Sequence, residues 1–342
     1  MTPSTRADGP RSGQVTVVGA GSWGTALAVH LTRTGHAVQL WARDACLVSQ
    51  IQRSGSNTRY LPDIELPRTI RVTSDLGEAL HEASFVVFAV PSHGLRAVVR
   101  SAAALLGADA ILVSAAKGLE EVTLARMSQV VIQETDGSHP TVVLSGPSFA
   151  AEVARGLPTA VLAASADGAA LARVQEHFRG PTFRLYGSED VTGVEIGGAL
   201  KNVIAIAAGA VEGLGLGHNS MAALITRGLA EISRLAGAEG GRRETLAGLG
   251  GLGDLVLTCT GALSRNRCVG IELGRGRRLE EILSGMHMVA EGIRTTSAAL
   301  ALGAQHGIEL PIAAQMKRVL DGTCSPRDAV ETLMLRKQKT ED

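Results

Sequence analysis

The apolar positions change period about halfway along the chain. Up to about residue 189, short, mostly apolar runs recur at 15–18, 38–41, 70–72, 85–90, 111–113, 142–144, 160–163 and 183–186. Segments of helical period lie between them. The first covers 25–31 and ends near Gly35, and Pro91 stops the 85–90 run. Near-continuous apolar strands alternating with helices predict an α/β fold on a parallel sheet covered on both faces. After about Asp190 the strand punctuation stops. Small and apolar residues follow at helical spacing over 191–211, and further helical patterns cover 221–235, 279–283, 295–306 and 313–320. The second half therefore reads as all-helical. The boundary falls at Gly187-Ser188-Glu189-Asp190, where a serine or aspartate can cap the first long helix.

Composition narrows the classes. At roughly 100–200 residues per domain, 342 residues make room for two. Lysine plus arginine number 33, as do aspartate plus glutamate, so no basic excess marks a nucleic-acid binder and any anion site must be built locally. Aromatics are only 3 %, which leaves the core to Ala, Val, Leu and Ile. The 41 glycines follow no Gly-X-Y period and mark turns and close approaches. Cys46, Cys259, Cys268 and Cys324 form no C-x-x-C pair and have no zinc-ligand spacing, so reduced thiols and no metal are expected. Residues 1–12 lack the apolar stretch of a signal peptide and read as a disordered tail; 336–342 read as a polar tail. The most apolar run, 203–211, is about half a membrane span. A soluble, cytoplasmic protein with no membrane partner is the expectation.

Gly19-Ala20-Gly21-Ser22-Trp23-Gly24 is a G-x-G-x-x-G match between a strand and a helix, the context of a dinucleotide site. Gly19 allows the tight turn, Gly21 admits a pyrophosphate, and Gly24 lets helix and strand pack closely. The bland alternative is a glycine turn with no ligand. With this motif the first half reads as a Rossmann-type doubly wound sheet, over residues 13–189. The helical part covers 190–335 and takes the substrate. The end of the second strand, Trp41-Ala42-Arg43-Asp44, offers both an arginine for a 2′-phosphate and an acid for ribose hydroxyls. Arg43 is nearer the strand end, which favours NADPH with some tolerance of NADH; otherwise it is a solvated surface charge.

Three later segments combine cations with small residues. Ser114-Ala115-Ala116-Lys117-Gly118 and Gly146-Pro147-Ser148-Phe149-Ala150 each follow a strand, at the edge where such sheets bind ligands. Lys201 lies in Gly197-Gly198-Ala199-Leu200-Lys201-Asn202, inside the long apolar helix. Partial burial would bring its pKa toward acid–base range, but a narrow solvent-facing stripe fits the periodicity too. Gly250-Gly251-Leu252-Gly253-Asp254-Leu255 and Ser264-Arg265-Asn266-Arg267 suit a phosphorylated polyol, or else a solvated loop.

The chain resembles the bacterial NAD(P)-dependent glycerol-3-phosphate dehydrogenases from about Val15 to Thr332. The resemblance rests on motifs in order. They are Gly19 through Ala28, Asn57-Thr58-Arg59-Tyr60-Leu61-Pro62, Leu144 through Ala150, Glu195 through Val203, Met221 through Gly228, and Ser264-Arg265-Asn266. It implies reduction of dihydroxyacetone phosphate to sn-glycerol 3-phosphate, supplying the phospholipid backbone, by a homodimer. It implies Ser22 and Trp23 at the pyrophosphate, and Arg43, Asp44 and Tyr60 around the adenosine. Lys117 would face both cofactor and substrate, with Gly146 and Ser148 on the substrate and Ala150 on the nicotinamide side. Lys201 would be the proton donor or acceptor. Asp254, Ser264, Arg265 and Asn266 would line the substrate pocket, with Arg265 also meeting the cofactor, and Val289 and Glu291 would close over the cofactor. Ala116 and Ala290 depart from the family's usual residues without replacing a functional side chain. Two rivals remain: a dehydrogenase of another hydroxyacid or polyol on the same plan, and a nucleotide-sensing protein without catalysis.

Overall fold

In the computed structural model, which describes residues 13–286, 290–338 and 340, the apolar runs become strands. These are β1 (Gln14–Val18), β2 (Ala37–Trp41), β3 (Ser56–Asn57), β4 (Leu61–Glu65), β5 (Arg71–Thr73), β6 (Ala83–Phe88), β7 (Ile111–Ser114), β8 (Thr141–Ser145), β9 (Thr159–Ala164) and β10 (Phe183–Ser188). Between them lie α1 (Ser22–Arg33), α2 (Ala45–Ser54), α3 (Leu76–Leu80), α4 (Ser92–Ala103), α5 (Met127–Glu134), α6 (Ala150–Arg155) and α7 (Gly168–Phe178). Eight strands form one sheet in the order β10-β9-β8-β7-β6-β1-β2-β5, while β3 and β4 pair with each other. Both faces are covered, which is why the central strands are apolar without alternation. Val15 and Val17 join a core with Leu27 and Leu31 of α1. On the other side Val86 and Phe88 join Leu95 and Val99 of α4.

The sheet is not parallel throughout. β9 runs antiparallel to β8, and β10 follows β9 in parallel. The link from β8 to β9 explains this. Its one helix, α6, has 6 residues and spans about 9 Å, whereas retracing a five-residue strand needs about 17 Å. The chain therefore re-enters the sheet from the same edge it left. The hairpin β3–β4 was not anticipated, being too short for periodicity and carrying Pro62. The strand expected to reach Val90 stops at Phe88, because the next residue turns against the glycine loop: a Cβ on Gly19 would lie 2.7 Å from the Ala89 carbonyl oxygen.

The rest of the chain is helical: α8 (Val191–Gly213), α9 (Gly217–Ala238), α10 (Arg243–Ala247), a π-helical turn over Leu249–Gly253, α11 (Asp254–Thr260), α12 (Arg265–Gly274), α13 (Leu279–Ser284), α14 (Glu291–Gln305), α15 (Pro311–Leu320) and α16 (Pro326–Met334). At its start, Asp190 accepts N–H bonds from Gly193 and Arg242, each at 2.8 Å. α8 has 23 residues with a mean hydropathy of 1.5, long and apolar enough to cross a membrane, yet it is wrapped by protein. The apolar run 203–211 understated it. Glycines let α12 lie directly on it: a Cβ on Gly209 would stand 2.0 Å from the Arg267 carbonyl oxygen, and one on Gly270 1.9 Å from that of Ile206. A buried carboxylate on α8, Glu195, joins it to the sheet half. It accepts from Arg126 Nη1 at 2.6 Å, and from Ser128 N at 2.8 Å and Oγ at 2.6 Å.

Glu231, buried on α9, accepts N–H bonds from Ile312 at 2.7 Å and Ala313 at 3.4 Å, in the first turn of α15. Burial pushes its carboxyl up from 4.5 to about 7, against the pull of those two N–H groups. A carboxyl raised on folding gives stability that is present in acid and is lost as pH rises through the folded value. Glu231→Gln keeps an acceptor and removes the charge. It is expected to melt several degrees above wild type at about pH 8, with the gap closing by about pH 5. The same gap at both values in a thermal melt would count against the buried charge as its cause.

Candidate active site

The glycine loop separates what the protein needs from what a ligand needs. Gly19 has φ +120, open only to glycine at low cost, and a Cβ on Gly24 would lie 1.8 Å from the Gly19 carbonyl oxygen. Gly21 is different. Its φ is −71 and an added Cβ would meet nothing within 4 Å. The bare space lies at the N-terminus of α1, where N–H groups and the helix dipole favour an anion. Ser22 and Trp23 form the first turn of that helix. A dinucleotide pyrophosphate fits this cradle.

The residues expected around an adenosine lie at the end of β2 and in the turn before β4. Arg43 is exposed and makes no ion pair or hydrogen bond among the described residues. Asp44 is already engaged. Its Oδ1 accepts from Cys46 N at 2.9 Å and Leu47 N at 3.3 Å, capping α2, and its Oδ2 lies 3.4 Å from Arg59. Tyr60 packs half-buried on the core, and its carbonyl accepts from Ser22 Oγ at 2.8 Å. Arg43 therefore presents an open cation beside a committed acid.

Lys117 follows β7, Lys201 lies on α8, and Asp254 starts α11; the three converge. Asp254 is 1 % exposed, and its two oxygens each take one ammonium. Lys117 Nζ donates to Oδ2 at 2.6 Å and to the Gly146 carbonyl at 3.0 Å. Lys201 Nζ donates to Oδ1, and to Thr258 Oγ1 at 3.0 Å. Burial draws the Lys201 amine down to about 7, opposed by Asp254 and aided by Lys117. Burial alone would raise the Asp254 carboxyl, but the two ammonium charges outweigh it and hold it below the ordinary range. An ammonium has three hydrogens, so each lysine keeps one N–H beyond these bonds.

Ser264, Arg265 and Asn266 open α12 rather than a loop. Ser264 Oγ accepts from Arg267 N at 3.3 Å as the N-cap. Asn266 is turned inward: Oδ1 accepts from Gly292 N and Nδ2 donates to Asn202 Oδ1, both at 3.0 Å. Arg265 is exposed and unpaired among the described residues. Burial of its surroundings lowers its guanidinium pKa, with Glu291 opposing. Ser148 Oγ donates to the Gly146 carbonyl at 3.0 Å, and Ala150 begins α6. Glu291 reaches across to the sheet half, accepting from Ser92 Oγ at 2.5 Å and Ser92 N at 3.3 Å. Val289 lies outside the described residues. A crevice of about 920 Å³ opens elsewhere, along α7 and β10, and none of these side chains lines it.

Comparison with known proteins adds the family. The profile of the NAD-dependent glycerol-3-phosphate dehydrogenase N-terminus matches residues 14–171, and that of its C-terminus matches 190–331. The chain belongs to the NAD-dependent glycerol-3-phosphate dehydrogenases. It is 52 % identical over 332 residues to a glycerol-3-phosphate dehydrogenase (NAD(P)+) of Koribacter versatilis, covering 96 % of this chain and 98 % of that one. It is 53 % identical over 327 residues to that of Syntrophotalea carbinolica, covering 95 % and 98 %. The crystal structure of the glycerol-3-phosphate dehydrogenase of Coxiella burnetii superposes with a TM-score of 0.91 at 41 % identity, covering 95 % of this chain and 99 % of that one.

In this dehydrogenase three further side chains join the cluster that sequence reasoning did not single out. Thr258 holds Lys201 and donates to the Asp254 carbonyl at 2.6 Å; its spacing of four from Asp254 on one helix was the available signal. Asn202 holds Asn266, and its place beside Lys201 was the hint. Ser92 holds Glu291 from 199 residues away, which no local spacing reveals.

Replacing Gly21 by alanine is expected to leave the melting temperature unchanged and weaken NAD(P)H binding by about tenfold or more, since the methyl enters space only a ligand uses. Gly24→Ala, which forces the glycine loop off α1, is expected to lower the melting temperature. Fluorescence titration and thermal melts on both variants check the contrast. Loss of stability in Gly21→Ala would remove the ligand argument.

Proposed function

We propose that the chain reduces dihydroxyacetone phosphate to sn-glycerol 3-phosphate, reversibly. In this reading Lys201 moves the proton, Lys117 steadies the oxyanion, Arg265 meets the phosphate, and NADPH is preferred to NADH. The observation that carries it is one buried carboxylate holding two lysines, each with one N–H left to give. Residues 13–189 hold the dinucleotide and 190–335 the substrate. Gly21 and the first turn of α1 receive the pyrophosphate, and Arg43 the 2′-phosphate. The engagement of both Asp44 oxygens supports the NADPH preference, since that acid has little left to offer ribose hydroxyls.

A reduced nicotinamide dinucleotide held on Gly21 and the first turn of α1 would supply the hydride for C2 of the ketone. Negative charge then grows on the C2 oxygen. The remaining N–H of Lys117 stabilises it, and Lys201 gives up its third proton to form the alcohol. Asp254 and Thr258 hold the Lys201 nitrogen in place throughout, so it loses a proton without losing its position. In the reverse direction the neutral amine takes the proton back. Arg265, open and unpaired, offers its fork to the substrate phosphate, with Ser264 beside it. The same reading extends to a cytoplasmic homodimer supplying the glycerophospholipid backbone, supported by membership of this enzyme family.

Lys201→Ala is expected to cut kcat by at least about 10²-fold with NADPH affinity nearly unchanged. In wild type, ketone reduction needs the protonated amine and falls as pH rises through about 7, whereas alcohol oxidation needs the neutral amine and rises there. Steady-state rates in both directions across pH check this; limbs of the same sign would assign the proton to another group.

Arg265→Ala is expected to lower kcat/KM for dihydroxyacetone phosphate by roughly 10–150-fold, and that for unphosphorylated dihydroxyacetone much less. Equal losses for the two ketones at saturating NADPH would give Arg265 to the cofactor instead.

A further inference from the structure

The turn that carries Arg59 is bolted to the glycine loop. Asn57, fully buried, donates through Nδ2 to the Ala20 carbonyl and to Thr25 Oγ1, both at 2.8 Å. Tyr60 N is held on Asn57 Oδ1 at 3.2 Å, and the Tyr60 carbonyl on Ser22 Oγ at 2.8 Å. Arg59 sits between these anchors, so its backbone is fixed relative to the start of α1. Its guanidinium lies 5.2 Å over the Tyr60 ring and 3.4 Å from Asp44 Oδ2. Asp44 is the acid directly after Arg43.

As a staple this ion pair does little. Both side chains are about half exposed, and exposed pairs of this kind contribute at most about 1 kcal/mol to folding. Its effect on the neighbouring subsite is larger in kind. The N–H bonds from α2 orient Asp44 without removing its charge. Arg43 and Asp44 alone sum to zero beside a 2′-phosphate. Arg59 holds that carboxylate on the Tyr60 side, so that it is not free to turn its charge on the phosphate.

We propose that Arg59 is a specificity-determining positioning residue: by pairing with Asp44 it makes an acid at the end of β2 compatible with a 2′-phosphate. This rests on the NADPH reading above, and on the placement of Arg43 and Asp44 at the adenosine edge.

The test measures Kd by fluorescence titration, and kcat/KM, for NADPH and NADH in wild type, Arg59→Ala, Arg59→Lys, Asp44→Asn and the Arg59→Ala/Asp44→Asn double variant. Asparagine caps a helix as well as aspartate, so α2 survives the change. Arg59→Ala is expected to weaken NADPH about fivefold to tenfold, the size of a unit-charge interaction a few ångströms away in open surroundings, with NADH nearly unmoved. Arg59→Lys keeps most of the preference. In the Asp44→Asn background the Arg59→Ala change is expected to cost less than about twofold, because there is no carboxylate left to neutralise. An unchanged NADPH to NADH ratio in Arg59→Ala overturns the proposal. So does an equal cost in both backgrounds, which would make Arg59 a direct phosphate ligand. Wild type failing to prefer NADPH would refute the cofactor reading separately, since the present inference is read from the shift in the ratio on mutation.

Discussion

A single carboxylate with a charge on each side ties the two halves of this dehydrogenase together. Asp254 is almost wholly enclosed, and an ionised carboxylate there is costly unless it is paired. Its partners come from different layers: Lys117 from the edge of the sheet, Lys201 from the central helix. The docking of the helical half on the sheet half and the charge state of the site are therefore one constraint. Removing Asp254 leaves two enclosed ammonium groups without their shared counter-charge, which costs far more than the pairing contributes. The same balance sets the proton affinity of Lys201, because burial and the second ammonium pull against the shared carboxylate. Asp190, Glu195 and Lys201 fix α8 at successive points along its first half, through a cap, a clasp to α5 and the shared charge.

Much of this was legible in the sequence, for identifiable reasons. Near-continuous apolar strands survive in a sheet covered on both faces, so β1, β2, β6, β7 and β8 announce themselves. The glycine loop is readable because two of its three glycines are demanded by contact within the protein and the third is not. The direction of β9 was hidden, since it depends on the length of α6 rather than on any periodicity. The setting of Lys201 was hidden too. A helix of Ala, Gly, Val and Ile has no polar face to read, and it is the packing of α9, α11, α12 and α14 around it that encloses it. Arg43 and Asp44 stood side by side in the sequence with opposite implications; α2 and Arg59 engage the acid and leave the arginine open. The run from Ser264 to Arg267 looked equally like a solvated loop, and only its position against α8 makes it a helix start.

The enclosure of α8 also governs how this half of the molecule comes into being. A helix that is apolar on every side has no stable exposed state in water. Its mean hydropathy matches that of a membrane span, and its contacts come from α9, α11, α12 and α14, which are spread from Gly217 to Gln305 along the chain. Stacked-repeat helical proteins gain stability one unit at a time. Here no subset of the helices suffices, because each covers a different side of the same rod. Assembly of the helical half is therefore close to all-or-none. A nascent chain that has released α8 but not yet α12 and α14 carries an uncovered greasy helix, so the interval between their synthesis is the one in which apolar surface is most exposed to aggregation.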